Sequence, residues 1–265
     1  MISKLSNRSL IKVSGDDAEE FLHSQLSNDI KNIDTNSVQI NAYCQHQGKI
    51  VAILWVFKRK NSFYISLPTE LKEKIIKRLT MFRLMSQVDI EDHSLKVKQF
   101  GIIDEKIEQG LHIVKNQYFM TSISDDIDYD SNLDDWNKTS IDNLLPEVFQ
   151  ETSEKFTPQA LNLDINEIGV SFSKGCYPGQ EVVARMHYLG KAKRRLYHFI
   201  SENKVKVGDG LNVIESTSLK SSGQVIRVLE FKGVFHFLAT FEIKHSKDSI
   251  FLNNNINNPV TLIHG

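Results

Sequence analysis

The chain has 265 residues, a formal net charge of −1 and 40% hydrophobic residues. This balance is typical of an ordinary globular protein and lacks the basic excess of a general nucleic-acid binder. The longest apolar run, residues 50–57, is far too short to cross a bilayer, and the N-terminal residues contain no apolar signal core. We therefore expect a cytoplasmic protein with one large domain and one smaller domain, and no membrane partner.

The chain contains only two cysteines, Cys44 and Cys176, which lie far apart in the sequence. A secreted disulfide scaffold needs more cysteines, and the count excludes a self-contained four-cysteine zinc or iron–sulfur site. Any cluster held here must therefore be shared with another chain, a cofactor or other types of ligand.

The N-terminal part of the chain alternates between strand and helix patterns. A short strand at residues 10–13 is followed by N-cap residues and a helix with Ala18, Phe21 and Leu22 on one face. The next predicted elements are strands at 38–44, 50–57 and 62–67 and a helix at 69–79. The second of these strands is apolar almost throughout, as expected for a strand covered on both faces. This order predicts an α+β layer rather than a doubly wound sheet.

The middle of the chain is rich in aspartate. Six of the eleven residues from 125 to 135 are Asp, which predicts a solvated loop between elements. A helix is expected to follow around residues 141–145.

Glycine turns separate short alternating segments after residue 196. Strands at this spacing predict a small antiparallel barrel. We place the domain boundary near Gly190, with an α+β region at 1–190 and a C-terminal β-barrel domain at 191–265. The predicted barrel strands are 196–201, 211–215, 224–230 and 234–241.

The densest motif of the chain is residues 174–181, KGCYPGQE, in which two glycines and a proline surround Cys176. Such a sequence turns tightly and presents the thiol at a surface. If cations such as Lys174 and Arg185 face the sulfur, they would stabilise the thiolate, which is the nucleophilic and metal-binding form. The alternative is that Cys176 is a small buried hydrophobic residue, the commoner fate of a lone cysteine.

Residues 174–185, KGCYPGQEVVAR, follow a second motif at residues 156–164, FTPQALNLD. Together these motifs resemble the YgfZ family, which is related to the folate-dependent T-protein of the glycine cleavage system. Residues 13–29, which include Gln25 to Asp29, and the passage at 190–196 agree with the family pattern. The resemblance implies a three-lobed, aminomethyltransferase-like α+β body of ferredoxin-like subdomains, with a central folate cavity and a C-terminal antiparallel β-barrel.

The resemblance also implies a role in the assembly, maintenance or repair of iron–sulfur enzymes, and through them in the methylthiolation of tRNA. The critical residue of the family corresponds to Cys176, and the lysine of its motif to Lys174. Cys176 would then be a ligand of a transient iron–sulfur cluster shared with a partner. Lys174 and Arg185 would tune the thiol or hold an anionic group. The expected partners are iron–sulfur carrier or client proteins, whereas contact with tRNA is expected to be indirect.

The T-protein carries an acidic pair after its glycine-rich hairpin, and one of these aspartates assists aminomethyl transfer. At the matching positions this chain has Ala52 and Ile53, neither of which can accept a proton. We therefore expect a binding scaffold rather than an aminomethyltransferase. A folate-dependent one-carbon transferase stays as an alternative.

Tetrahydrofolate or a derivative is the cofactor that the resemblance implies. The family places an aromatic residue before, and an acidic residue within, the helix that precedes the cysteine motif. Here these are Trp136 and Asp142, and Leu144 replaces a nearby glycine. The carboxylate would accept two parallel hydrogen bonds from the pterin edge. Arg8 stands where some relatives have tryptophan, and it would stack on the ring, pair with the glutamate tail or lie on the surface. Ordinary packing is the alternative for Trp136.

The basic residues 191–195 keep a second class of function open, namely a module that binds tRNA directly through phosphate contacts. Four charges in five residues are more typical of a solvated domain junction, and the predicted barrel lacks an evident row of exposed aromatic residues for stacking on bases. Cys44, His187 and His198 are interpreted as structural residues.

Overall fold

A computed structural model describes residues 1–108, 110–123, 127–214 and 221–265. These residues form two open antiparallel sheets, a closed barrel and four α-helices, none of which is long and apolar enough to cross a membrane. The helices are α1 (Ala18–Gln25), α2 (Lys72–Phe82), α3 (Leu133–Asp142) and α4 (Gln180–Leu189). The strands are β1 (Ile2–Lys4), β2 (Arg8–Ser14), β3 (Gln39–Cys44), β4 (Ile50–Arg59), β5 (Ser62–Pro68), β6 (Asp89–Asp92), β7 (Lys98–Ile103), β8 (Leu111–Val114), β9 (Gln117–Ser122), β10 (Arg194–Ser201), β11 (Gly210–Val213), β12 (Gly223–Phe231), β13 (Val234–Glu242), β14 (Ile250–Leu252) and β15 (Pro259–His264).

The first sheet has the strand order β3-β4-β5-β2-β6, and the apolar strand predicted from the sequence is β4. Every residue from 50 to 57 is at most 1% exposed, so this strand is covered on both faces. α1 and α2 bury Phe21, Leu22, Ile75 and Leu79 in the same core. Burial of this apolar surface is the main stabilising term for the sheet.

The second sheet has the strand order β1-β7-β9-β8, and α3 packs against it. The approach is close because Gly101 on β7 has no side chain. A Cβ at this position would lie 2.3 Å from the ring of Trp136 on α3. None of these strands was predicted from the sequence, because they are short and lack a strong alternation of polar and apolar residues.

The closed barrel has the strand order β10-β13-β12-β11-β14-β15 and confirms the predicted antiparallel barrel. Its interior contains Phe199, Phe237 and Phe241, none of which has exposed area. The barrel begins at Arg194, a few residues after the predicted boundary. Residue 215, which ends one predicted strand, lies outside the described residues.

α3 begins well before the helix predicted around residues 141–145. Oδ1 of Asn132 accepts a 3.0 Å hydrogen bond from the backbone N–H of Asp135, and the Asp135 carboxylate accepts one of 3.4 Å from the backbone N–H of Asn132. This capping box makes the last aspartates of the predicted loop at 125–135 the first turn of a helix, which corrects that prediction. Residues 125 and 126 lie outside the described part of the chain.

Candidate functional site

The cysteine motif packs against the turn between β3 and β4. Gly179 has φ +84° and Gly48 has φ +70°, which is the left-handed region that favours glycine. A Cβ on Gly179 would lie 2.4 Å from the carbonyl oxygen of Gln45 and 2.8 Å from the Cα of Gly48. The two glycines therefore let two backbone segments touch, and this contact fixes the loop that precedes α4.

Lys174 is buried beneath this loop. Its Nζ donates hydrogen bonds to the backbone carbonyl oxygens of His23 and Leu26 at the end of α1, and it lies 5.1 Å from the centroid of the Tyr177 ring. Burial lowers the pKa of Lys174 to about 8, while the charges of Asp29 and Cys176 raise it. The last carbonyl groups of a helix have no hydrogen-bond partner within the helix. Lys174 supplies a donor to two of these groups at the end of α1, and it thereby links the cysteine motif to this helix.

Cys176 is exposed on the turn between Lys174 and α4. The alternative interpretation, a buried hydrophobic residue, is therefore wrong. The pairing of the Cys176 thiol with the Lys174 ammonium stays a prediction. Arg185 is exposed on α4, and its part in tuning the thiol stays a prediction.

Cys44 has the opposite environment. It lies at the end of β3 and is 1% exposed. Burial raises the pKa of the Cys44 thiol to about 12, so that it stays protonated at neutral pH. A protonated, inaccessible thiol is chemically inert, which agrees with the interpretation of Cys44 as a structural residue.

His23 is a neighbour of the motif that the sequence analysis missed. Its Nδ1 lies 3.2 Å from Oδ1 of Asp29, and its Nε2 would lie 3.8 Å from a Cβ on Gly175, the residue before Cys176. Burial and the charge of Lys174 lower the pKa of His23. A histidine that favours the neutral form thus lies beside the cysteine loop. The sequence signal that could have pointed to His23 was its place in residues 13–29, the segment that agrees with the family pattern.

The positions that correspond to the acidic pair of the T-protein are closed to solvent. Ala52 and Ile53 lie on β4 and have no exposed area. These positions therefore offer neither a titratable group nor a surface that a substrate can reach.

Arg8 is buried rather than exposed. Its guanidinium donates hydrogen bonds to Glu147 and to the hydroxyl and carbonyl oxygens of Ser66, and its Cζ lies 3.5 Å from the centroid of the Trp55 ring. Of the three positions that the sequence left open for Arg8, the surface position is therefore wrong. Burial lowers the pKa of Arg8, and the carboxylate of Glu147 acts in the opposite direction.

A second buried guanidinium lies near the same carboxylate. Arg227 on β12 donates a 2.7 Å hydrogen bond to Oδ1 of Asn137 on α3, and it interacts electrostatically with Glu147 and Arg8. The three charged side chains carry a net charge of +1 between the α+β region and the barrel. Neither Glu147 nor Arg227 was predicted from the sequence, because a single arginine in a barrel strand and a glutamate in a loop form no motif.

Trp136 and Asp142, the residues predicted for the pterin site, have different environments on α3. Trp136 is 2% exposed and packs edge-on against Trp55, with ring centroids 6.3 Å apart. Asp142 is partly exposed and accepts hydrogen bonds of 2.8 and 2.7 Å from Nζ of Lys138. Packing, the alternative interpretation of Trp136, describes its surroundings in this structure. The part that both residues play in pterin binding stays a prediction.

A cavity of about 500 Å³ begins directly after α3. Leu144, which replaces the glycine of relatives, contributes to its wall and has φ +54°, a backbone conformation that is unfavourable for leucine. The amides of Asn143 and Asn162 also line the cavity. Its other lining side chains are mostly apolar and include Leu145, Pro146, Leu161 and Leu163.

A second cavity, of about 550 Å³, lies beside α4 where the α+β region meets the barrel. Glu242 is the one carboxylate among its described lining residues, and five lining residues are cationic, so the wall of the cavity carries an excess of positive charge. Part of the basic segment 191–195 contributes to this wall, whereas Arg195 forms an ion pair with Asp164. The cationic lining residues are Lys49, Lys155, Lys191, Lys193 and Arg194.

Comparisons with known proteins agree with this architecture, although no family model matches the sequence. The chain is 28% identical over 229 residues to the tRNA-modifying protein YgfZ of Colwellia psychrerythraea, which covers 73% of this chain and 69% of the relative. It is 26% identical over 267 residues to the tRNA-modifying protein YgfZ of Aliivibrio fischeri strain MJ11, with coverage of 87% and 81%. An uncharacterized protein of Haemophilus influenzae is 27% identical over 239 residues, with coverage of 87% and 85%.

Among solved structures, the aminomethyltransferase T of the glycine cleavage system from Bartonella henselae aligns with a TM-score of 0.71 at 12% identity. The alignment covers 100% of this chain and 84% of that chain. The fold is therefore that of the aminomethyltransferase T-protein, with a C-terminal antiparallel barrel, as the sequence predicted. The named relatives and this fold support the resemblance to the YgfZ family that the cysteine motif indicated.

Proposed function

We propose that this protein binds a reduced folate and helps to assemble, maintain or repair iron–sulfur enzymes, and that it supports tRNA methylthiolation through them. The observation that carries the proposal is the setting of Cys176, an exposed thiol on a fixed turn beside the buried cation of Lys174. The names of the matched relatives support the link to tRNA modification.

In this proposal the iron–sulfur cluster is cargo. Cys176 is accessible and Cys44 is buried, so the chain offers one thiolate to a cluster. An iron–sulfur cluster in a protein commonly has four protein ligands, so the ligands other than Cys176 would come from a carrier or client protein. Lys174 would offset the negative charge of a thiolate-bound cluster. The step is a ligand exchange, in which the Cys176 thiolate replaces one ligand of the cluster without a change of oxidation state.

Folate is proposed for the cavity that follows α3. Its volume of about 500 Å³ and its apolar walls suit the flat faces of a pterin. The side-chain oxygen of Asn143 would accept a hydrogen bond from the ring, whereas its nitrogen already donates to Asn116 and Gln117. Asp142 directly precedes this wall but does not line the cavity. It would bind the aminopyrimidine edge after it releases Lys138, which holds both carboxylate oxygens, and turns toward the cavity. A bound reduced folate would supply a carrier for a one-carbon unit.

Aminomethyl transfer does not form part of the proposal. The T-protein reaction uses an acidic group at the positions of Ala52 and Ile53, which are buried and apolar here. One-carbon transfer by other residues is therefore the weaker enzymatic alternative.

Direct binding of tRNA is a second candidate function that one observation favours. The cationic cavity beside α4 brings Lys191, Lys193 and Arg194 together with Lys49 and Lys155. Such a surface would bind phosphate groups with an affinity that falls steeply as salt concentration rises. Tight, salt-sensitive binding of tRNA to the purified protein would make this function the leading one.

The iron–sulfur part of the proposal is tested by the activity of an oxygen-labile iron–sulfur enzyme in extracts of a strain that lacks this protein. The strain is complemented with wild type, Cys176→Ala or Cys44→Ala. We expect wild type and Cys44→Ala to restore the activity, whereas Cys176→Ala does not. Equal restoration by all three proteins would remove the thiol from the proposal.

The folate part is tested by calorimetric titration with tetrahydrofolate in the presence of a metal chelator. We expect one site per chain and at least a tenfold loss of affinity in Asp142→Asn, because the amide cannot accept both hydrogen bonds. Asp134→Asn on the exposed start of the same helix is the matched control. No heat of binding in the wild-type protein would contradict folate binding.

A further inference from the structure

A cluster of histidines lies on the outer face of the barrel, below the C-terminal end of α3. Phe199 and Phe237 point into the barrel, so the adjacent residues His198 on β10 and His236 on β13 point outwards. Nε2 of His198 lies 3.2 Å from Nδ1 of His236. The ring of His264 on β15 completes the cluster, with its centroid 5.4 Å from that of His198.

α3 adds a carboxylate to this cluster. Oδ1 of Asp142, the last residue of the helix, lies 3.6 Å from Nδ1 of His198. The barrel histidines and this carboxylate therefore face each other across the junction between the α+β region and the barrel.

The inner histidine of this cluster has an unsatisfied nitrogen. His198 is 2% exposed, and its Nδ1 has no hydrogen-bond partner among the described residues. The distance of 3.6 Å to Asp142 is too long for a hydrogen bond. If Nε2 of His198 donates to Nδ1 of His236, then Nδ1 of His198 is a bare lone pair that faces a carboxylate, which also has nothing to donate. A cation between these two groups would satisfy both. When Nε2 of His198 donates in this way, Nε2 of His236 carries a proton, so His236 must give up its hydrogen bond with His198 before it can bind the same cation.

We propose that Asp142, His198 and His236 form a binding site for a divalent transition metal of the Zn²⁺ class. The three residues offer one ligand atom each within 4.8 Å of one another. In a tetrahedral zinc site with bonds of about 2.0–2.1 Å, neighbouring ligand atoms lie about 3.3 Å apart, so the widest gap must close by about 1.5 Å. The partly exposed side chains of Asp142 and His236 have room to move, whereas His198 is fixed by burial.

The electrostatic environment also suits a metal ion. Burial lowers the pKa of His198 to about 4, with Asp142 acting against this effect, and burial also lowers the pKa of His236. Both imidazoles are therefore neutral at pH 7, which is the form that binds metals. The competing cation is the ammonium group of Lys138, which holds Asp142 from one turn earlier on α3. A metal ion must displace Lys138 from the carboxylate.

A metal ion at this position would link two parts of the molecule. Asp142 belongs to α3, whereas His198 and His236 belong to the barrel. Metal binding would therefore stabilise the contact between α3 and the barrel, since a ligand that binds only the folded state raises the free energy of unfolding. Cys176 takes no part in this site. Asp142 is also the carboxylate of the proposed pterin site, so a metal ion and a folate would compete for it, and zinc binding is measured without folate.

The test is a titration of the full-length, untagged protein with Zn²⁺ in competition with a chromophoric chelator. All proteins carry Cys176→Ser, so that the exposed thiol does not bind zinc. We expect one zinc per chain and an affinity at least 100-fold lower in His198→Ala, His236→Ala and Asp142→Asn. Asp142→Asn changes a partly exposed residue, so it keeps the test decisive if a histidine variant fails to fold. His112→Ala, an exposed histidine elsewhere, should bind zinc as the parent does.

The Lys138→Met variant distinguishes a metal site from a cluster whose residues only pack against each other. Because this change removes a cation that competes for Asp142, we expect about tenfold tighter binding of zinc. Co²⁺ should produce visible absorption bands of a tetrahedral site, and these should disappear in Asp142→Asn. The proposal is overturned if the parent binds no zinc, if the three ligand variants bind as tightly as the parent, or if Lys138→Met weakens binding.

Discussion

The contact between Gly179 and the β3–β4 turn should be the most sensitive point of the cysteine loop. Replacement of Gly179 by alanine places a Cβ 2.4 Å from the carbonyl oxygen of Gln45, so one backbone segment must move. Alanine must also adopt φ +84°, which costs about 1–2 kcal/mol. Overpacking adds about 1–3 kcal/mol, and the stiffer unfolded chain returns about 0.4–1 kcal/mol. We therefore expect a loss of about 1–5 kcal/mol in the free energy of unfolding.

Gly233→Ala is the matched control for this change. Gly233 has φ +80°, close to that of Gly179, but a Cβ on it would meet nothing within 4 Å. In Gly233→Ala the change in the free energy of unfolding therefore comes from the backbone alone. The difference in this free energy between the two variants measures the steric clash at Gly179.

Urea denaturation of wild type and both variants gives the free energies of unfolding. We expect Gly179→Ala to be less stable than Gly233→Ala by about 1–3 kcal/mol, the cost of overpacking. In addition, Gly179→Ala should change the rate at which Cys176 reacts with a thiol reagent, whereas Gly233→Ala should not. Equal stability of the two variants would refute the argument that the loop is fixed by this contact.

Three further predictions concern ionisable groups. In the folded protein, iodoacetamide should label Cys176 and leave the buried Cys44 unmodified until urea is added; labelling of both at equal rates would contradict the burial of Cys44. The pKa of Lys174 is about 8 when folded and 10.5 when unfolded, so between these values the unfolded chain binds more protons and stability should rise with pH. Relative to Lys174→Met, wild type should become more stable from pH 8 to 10, and parallel curves would contradict the lowered pKa. Glu147→Gln should cost about 3–5 kcal/mol in urea denaturation because it leaves the Arg8 guanidinium unpaired, and Arg8→Met in addition should recover part of that loss. A fully additive double variant would contradict the ion pair.

The elements that the sequence predicted well have local causes. The apolar run at 50–57 defines β4, and alternating segments between glycine turns define the barrel. The exposure of Cys176 also follows from its neighbours, because two glycines and a proline form a turn that leaves little side-chain surface to cover the thiol. Periodicity and turn residues carry this information within a few positions of the chain.

The features that the sequence analysis missed depend on contacts between distant segments. Lys174 binds carbonyl groups at the end of α1, near His23, and Arg8 pairs with Glu147. His198 meets Asp142 only because α3 packs against the barrel. Such pairs depend on tertiary packing, which no local pattern encodes, so the charged clusters emerge only in the folded structure.

The most direct test of the central claim is the amount of methylthiolated tRNA in a strain that lacks this protein. The strain is complemented with wild type, Cys176→Ala or the matched Cys44→Ala, and expression of each protein is checked. We expect wild type and Cys44→Ala to restore the modified nucleoside, and Cys176→Ala to leave it at the level of the deletion strain. Full restoration by Cys176→Ala would contradict the role assigned to the exposed thiol.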